Sequence, residues 1–175
     1  MHLGYLIAAV AVSVAGAVTD VRTARIPNRL TYTAMLLALA VHTMTDGWRG
    51  TLQSLGGLVL CGGIFFVLFA LHAMGGGDVK MMAAVGALVG LAHSAEALIA
   101  SCLCGGVMAL IYMFVKKRTK KTLQNLGSLV QHHAIQGAEV HPELNLSNPD
   151  AVKMPYGVAI ASGAIVVFCM TLWKG

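Results

Sequence analysis

The chain has 175 residues, 57% of them hydrophobic and only 11% charged, with a formal net charge of +5 and a mean hydropathy of +0.76. So little charge cannot coat a soluble domain of this size, and the apolar residues fall in runs, so the composition excludes a water-soluble globular fold and specifies an all-α, polytopic membrane helix bundle. The Lys and Arg residues lie beside apolar runs, which favours anionic lipid headgroups over nucleic acid as partner, with a solvated basic loop as the equal alternative.

Six apolar segments are predicted, at about 3–19, 30–45, 52–73, 79–93, 95–115 and 155–173, forming a single membrane-embedded domain over 1–175. The first ends in Ala15-Gly16-Ala17, similar to a signal-peptidase site. No Lys or Arg precedes it, however, and Arg22, Arg25 and Arg29 follow, the reverse of a secretory signal. It reads as a retained helix with its N-terminus outside. The second and fourth segments are short, about 22–24 Å, which fits local bilayer thinning or helices that begin inside the membrane plane. With the N-terminus outside, the connections 20–29, 74–80 and 116–154 are cytoplasmic. They hold every Lys and Arg except Arg49 and Lys174, as the positive-inside rule requires. Asp46 and Glu96 then fall in outer loops.

The long connection opens with Lys116-Lys117-Arg118-Thr119-Lys120-Lys121, and Leu123, Leu126, Leu129 and Val130 follow at the spacing of a short surface helix. His132-His133 reads as a solvated pair rather than a metal site. Cys61, Cys102, Cys104 and Cys169 lie inside apolar segments without Cys-x-x-Cys spacing, and read as small packing residues. Trp48, Tyr156 and Trp173, near segment ends, suit an interfacial belt. His72 precedes the glycine run and reads as a buried, hydrogen-bonded side chain.

Two acids stand apart, because ionisable residues at the edge of a hydrocarbon layer are costly. Asp78 closes the run Gly75-Gly76-Gly77-Asp78-Val79-Lys80, where it can cap the next helix; three glycines exceed what a cap needs and leave backbone open to an extended chain. Asp20 ends the first helix, where its charge opposes the dipole, and pairing with Arg22 or Arg25 is the structural alternative. Pro27 and Asn28 in Ile26-Pro27-Asn28 turn the chain tightly enough to aim Asp20 into the bundle. Lys80 suits an anchor to headgroups. Gly56-Gly57, Gly62-Gly63 and Gly105-Gly106 allow close approach of helices, either the chain's own or a substrate's.

Taken in order, Asp20 with Ile26-Pro27-Asn28, then Gly75-x-Gly77-Asp78-x-Lys80, then Pro155-Tyr156-Gly157-Val158-Ala159-Ile160 with Gly163, resemble a prepilin peptidase, and the short chain resembles its tight-adherence (Flp) pilus branch. The likeness covers most of the chain outside 122–152. It implies a six-helix aspartic peptidase that cuts the basic leader from pilin precursors at the cytoplasmic face of the bacterial inner membrane. Asp20 and Asp78 would be the catalytic pair, and Gly75, Gly76, Gly77 and Lys80 the loop that presents it. Pro27, Asn28, Pro155, Tyr156 and Gly157 would bind or position substrate. No metal or cofactor is implied. Larger family members carry a Cys-x-x-Cys insertion near the first Asp and also N-methylate the mature pilin; the short connection here argues against that second activity. A proton- or ion-coupled transporter and a non-catalytic secretion-complex subunit are the competing readings.

Overall fold

A computed structural model describes residues 3–71, 73–115, 128 and 154–174. The expectations for His72, for the surface helix at 123–130 and for His132-His133 lie outside the described residues. Those residues form helices α1 (Leu3–Thr23), α2 (Asn28–Ala70), α3 (Gly76–Val89), α4 (Leu91–Val115) and α5 (Tyr156–Lys174), with no strand among them. α1, α2, α4 and α5 are each long and apolar enough to cross a membrane.

α2 is not one rod. Gly47 breaks it with φ 58° and ψ −138°, a left-handed backbone that glycine adopts without a Cβ clash. The chain doubles back there: Gly50 lies against the carbonyl of His42, and Thr43 Oγ1 is 2.8 Å from Thr51 Oγ1. Both ends of α2 therefore reach the start of α3, through Asn28 beside Lys80 and Phe69 beside Gly76. Its middle meets the other end of α3, where Ser54 donates to the Ala87 carbonyl and His42 to that of Leu88. The outer loop expected around Asp46 is thus reduced to one residue, and Asp46 and Arg49 are helical.

α3 forms the centre. Met81–Val89 are all buried, as expected of a helix apolar on every side. Its 14 residues span about 21 Å, and the surrounding helices cover it. Gly90, at φ 75°, ends it, and α4 starts at once with Leu91. The boundary expected near residue 94 was set by the polarity of His93 and Ser94. Those residues are instead inside α4, where Ser94 donates to the Gly90 carbonyl at 2.8 Å and His93 pairs with Glu96 at 3.2 Å. Gln53 Oε1 accepts the Ala92 N–H at 3.2 Å, satisfying one free donor of the new helix.

Packing follows lipid rules, in which close backbone approach replaces hydrophobic collapse. Gly57 of α2 and Gly86 of α3 meet backbone to backbone, so that a Cβ on either would strike the other's carbonyl oxygen. The remaining glycine doublets divide: Gly62 meets Ala83 and Gly105 meets Tyr156, whereas Gly63 and Gly106 face open space. Most buried polar groups are bonded: His42, whose ring stacks on Tyr5 with centroids 4.0 Å apart, reaches the Leu88 carbonyl, and Cys61 Sγ lies 3.7 Å from the Ser94 carbonyl oxygen. Among the described residues the Ser101 hydroxyl is buried without a partner. Of the cysteines only Cys61 packs inside; Cys102 and Cys169 face outward, on the surface that meets lipid.

Candidate active site

The site lies where the end of α1 and the starts of α2, α3 and α5 come together. α3 begins with Gly75 as its N-cap (φ −78°, ψ 147°), so Asp78 is the third helical residue rather than the cap itself. The glycine run, which breaks the chain after α2, sets that register. From the third position the carboxylate reaches back to a backbone hydrogen bond at Gly75, half of a capping box. A Cβ on Gly75 would stand 3.2 Å from Asp78 Oδ2, so the missing side chain leaves the carboxylate its room.

Asp20 sits in the last turn of α1, where its own helix dipole is unfavourable. Its Oδ2 accepts the Gly157 N–H at 3.0 Å, in the first turn of α5. The carboxylate thus exchanges a repulsive helix end for an attractive one. No ion pair to Arg22 or Arg25 occurs among the described residues. A Cβ on Gly157 would lie 3.0 Å from Asp20 Oδ2 and 3.3 Å from Ala17 Cα, so any side chain there would require Asp20 or α1 to give by a few tenths of an ångström.

Asp78 stands ahead of the apolar part of α3 and is partly buried. Burial pushes its carboxyl up to about 7; the charge of Asp20 pushes the same way, and the Gly75 hydrogen bond opposes both. The two aspartates, distant in sequence, are therefore close enough to act on each other. Asp78 lies in the first turn of α3, and Asp20, at the end of α1, faces the first turn of α5.

The other expected residues frame the pair. Pro27 is the N-cap of α2 and accepts the Leu30 N–H at 3.0 Å. Ala24 takes a left-handed φ of 51° to close α1, and Ile26, buried at 9% exposure, packs against Gly77. Pro155 accepts the Val158 N–H at 3.1 Å, opening α5. Tyr156 does not join an interfacial belt: its ring points inward, 5.9 Å edge-on from Phe65, and lies over Gly105. Trp48 and Trp173 do face outward. Lys80, expected at the headgroups, instead donates to Asn28 Oδ1 at 2.9 Å and lies 5.4 Å from the Tyr32 ring centroid.

Sequence reasoning missed Met81, whose sulfur fills the groove at Gly16 one turn before Asp20, and Phe65 beneath Tyr156. Neither differs in type from its apolar neighbours. It also missed Tyr32, although Asn28 and Tyr32 share a face of α2 one turn apart, a spacing visible in the sequence. No three His, Cys, Asp or Glu side chains among the described residues converge as metal ligands would.

A family model described as the type IV leader peptidase family matches residues 7–110. The match includes Asp20, Ile26-Pro27-Asn28 and the stretch from Gly75 to Lys80, and stops before α5. No curated protein and no solved structure matches the chain.

Proposed function

Because this chain belongs to the type IV leader peptidase family, we propose that it is an aspartic endopeptidase that removes the basic leader from type IV or Flp-type pilin precursors at the cytoplasmic face of the bacterial inner membrane. The observation that carries the proposal is the meeting of Asp20 and Asp78, with the charge of one raising the proton affinity of the other. In this reading α2 crosses twice and the bundle has six crossings, with the N-terminus outside and the carboxylates on the inner side.

Two adjacent carboxylates cannot both ionise cheaply, so the pair holds one proton over its working range. The ionised member takes a proton from a bound water as the water oxygen bonds to the scissile carbonyl carbon. The protonated member donates a hydrogen bond to the carbonyl oxygen, and its proton later passes to the leaving amine as the C–N bond breaks. Titration belongs to the pair, so neither residue is fixed as base. The backbone bonds at Gly75 and Gly157 hold the two carboxylates in orientation while they exchange protons. A precursor with a cytoplasmic basic leader and a following apolar helix presents its scissile bond at this depth. N-methylation of the product is not part of the proposal.

Co-expression with a pilin precursor, followed by mass spectrometry of the pilin terminus, tests the reading. Asp20→Asn and Asp78→Asn should each reduce leader removal by at least about 10³-fold while the protein still inserts and accumulates. Normal cleavage by either variant removes that residue from the pair. Proton flux lost in both variants, without peptidase activity in the parent, supports transport instead.

A further inference from the structure

Lys80 is the motif residue for which the chemistry above has no use. Two residues beyond Asp78, it leaves α3 about 200° away, on the far side of the helix from the carboxylate. There its ammonium donates to Asn28 Oδ1 at 2.9 Å and lies over the Tyr32 ring at 5.4 Å. An ammonium held by an amide and an aromatic face is engaged by protein, not by headgroups.

Asn28 opens α2 directly after the turn that carries the chain on from Asp20. Among the described residues, the close contacts that α1 and this turn make with α3 at its first two turns are otherwise apolar: Ile26 of the turn lies on Gly77, and Met81 fills the space at Gly16 of α1. Such contacts resist separation but tolerate sliding, because dispersion has little directional preference. A hydrogen bond fixes register. We propose that Lys80 is a positioning residue whose bond to Asn28 clamps the α1–α2 turn onto the first turn of α3 and thereby sets the approach of Asp20 to Asp78. This rests on the aspartic-peptidase reading above.

The test compares Lys80→Met, Lys80→Arg, Asn28→Ala and the Lys80→Met/Asn28→Ala double variant, each in liposomes with a pilin precursor. Lys80→Met keeps length and apolar stem but donates no hydrogen bond. It should lower kcat about 10²-fold with KM nearly unchanged, since a displacement near 1 Å is enough for such a loss. Asn28→Ala should match it, the double variant should lose no more than either single one, and Lys80→Arg should recover most of the rate. The groups facing Asp78 are Asp20 from α1 and Tyr156 from α5. If the clamp opens and Asp20 recedes, the alkaline limb of the pH–rate profile should move to lower pH, which a general loss of folded protein would not produce. An unchanged limb and rate in Lys80→Met, or a silent Asn28→Ala beside an impaired Lys80→Met, overturns the clamp while leaving the peptidase reading intact.

A second measurement does not depend on cleavage. In a protein whose four natural cysteines are replaced, Asp20→Cys and Asp78→Cys are joined by a short bifunctional thiol reagent. Adding Lys80→Met should slow the cross-link severalfold. An unchanged cross-linking rate overturns the proposal even if no precursor is ever cut.

Discussion

Asp20 occupies a position that its own helix would penalise, and it is the backbone of a different helix that makes the position tenable. The Gly157 N–H supplies that compensation at 3.0 Å. Gly157→Ala should therefore act as a site mutation although it adds only a methyl group. With the new Cβ 3.0 Å from Asp20 Oδ2, either the carboxylate or α5 must shift, and leader removal should fall about 10²-fold at near-normal protein levels. Gly76→Ala, whose Cβ would meet only the Phe69 ring at 3.5 Å, should be nearly silent. The proton affinity of Asp78 gives a second prediction. Its folded pKa, raised to about 7 from 3.8, means that the folded state holds the proton more tightly than the unfolded chain. Its stabilising contribution is complete below about pH 4 and is lost as pH rises through about 7. The Tm of the parent in detergent should decline across that window, and the decline should be shallower in Asp78→Asn. Cleavage should also weaken above about pH 7, as the pair loses its shared proton.

Among the elements, the contact of α2 with α3 is the one least tolerant of added atoms. Gly57→Ala and Gly86→Ala each place a methyl group inside the facing backbone, and should lower stability by about 2 kcal/mol or more. Gly63→Ala and Gly106→Ala, which open onto nothing within 4 Å, should change little. Thermal unfolding of the four variants in one detergent checks the contrast. The sequence distinguishes these glycines poorly, because Gly56-Gly57, Gly62-Gly63 and Gly105-Gly106 look alike and their difference lies in the facing helix. The apolar segments themselves were legible, since length and hydropathy are local properties. Their ends were less so. Polarity at His93-Ser94 resembled a loop, yet both side chains find partners within α4, and the actual break is set by the left-handed backbone of Gly90. Asp46 and Arg49 misled in the same way around Gly47.

For the molecule as a whole, convergence of the two aspartates depends on contacts between the first, third and last helices. No local pattern encodes such contacts; the bond that orients Asp20 comes from a main-chain N–H, which nearly any residue could supply. The ordered set of motifs was therefore the only sequence signal for it, and Tyr156 shows its limit, because its inward packing was invisible. The proposed topology is testable directly. Single cysteines at Gly47 and Trp173 should react with an impermeant reagent added outside intact cells, whereas cysteines at Arg25 and Met74 should react only after permeabilisation. The reverse pattern would invert the bundle. One helix imposes a further condition on the surrounding lipid. α4 runs antiparallel to α5, with Ser101 against Gly163 and Gly105 against Tyr156, so the level of Gly157 falls between Cys104 and Val107, and the stem is measured from Val107. From there α4 continues to Val115, about 12 Å farther, with Leu110, Ile111 and Phe114 exposed. That apolar stem carries the hydrophobic surface of one flank beyond the level of the aspartates. On the proposed topology the inner leaflet should be thicker on that flank than beside the α1–α2 turn, and spin labels at Phe114 and Arg25 should register unequal immersion depths.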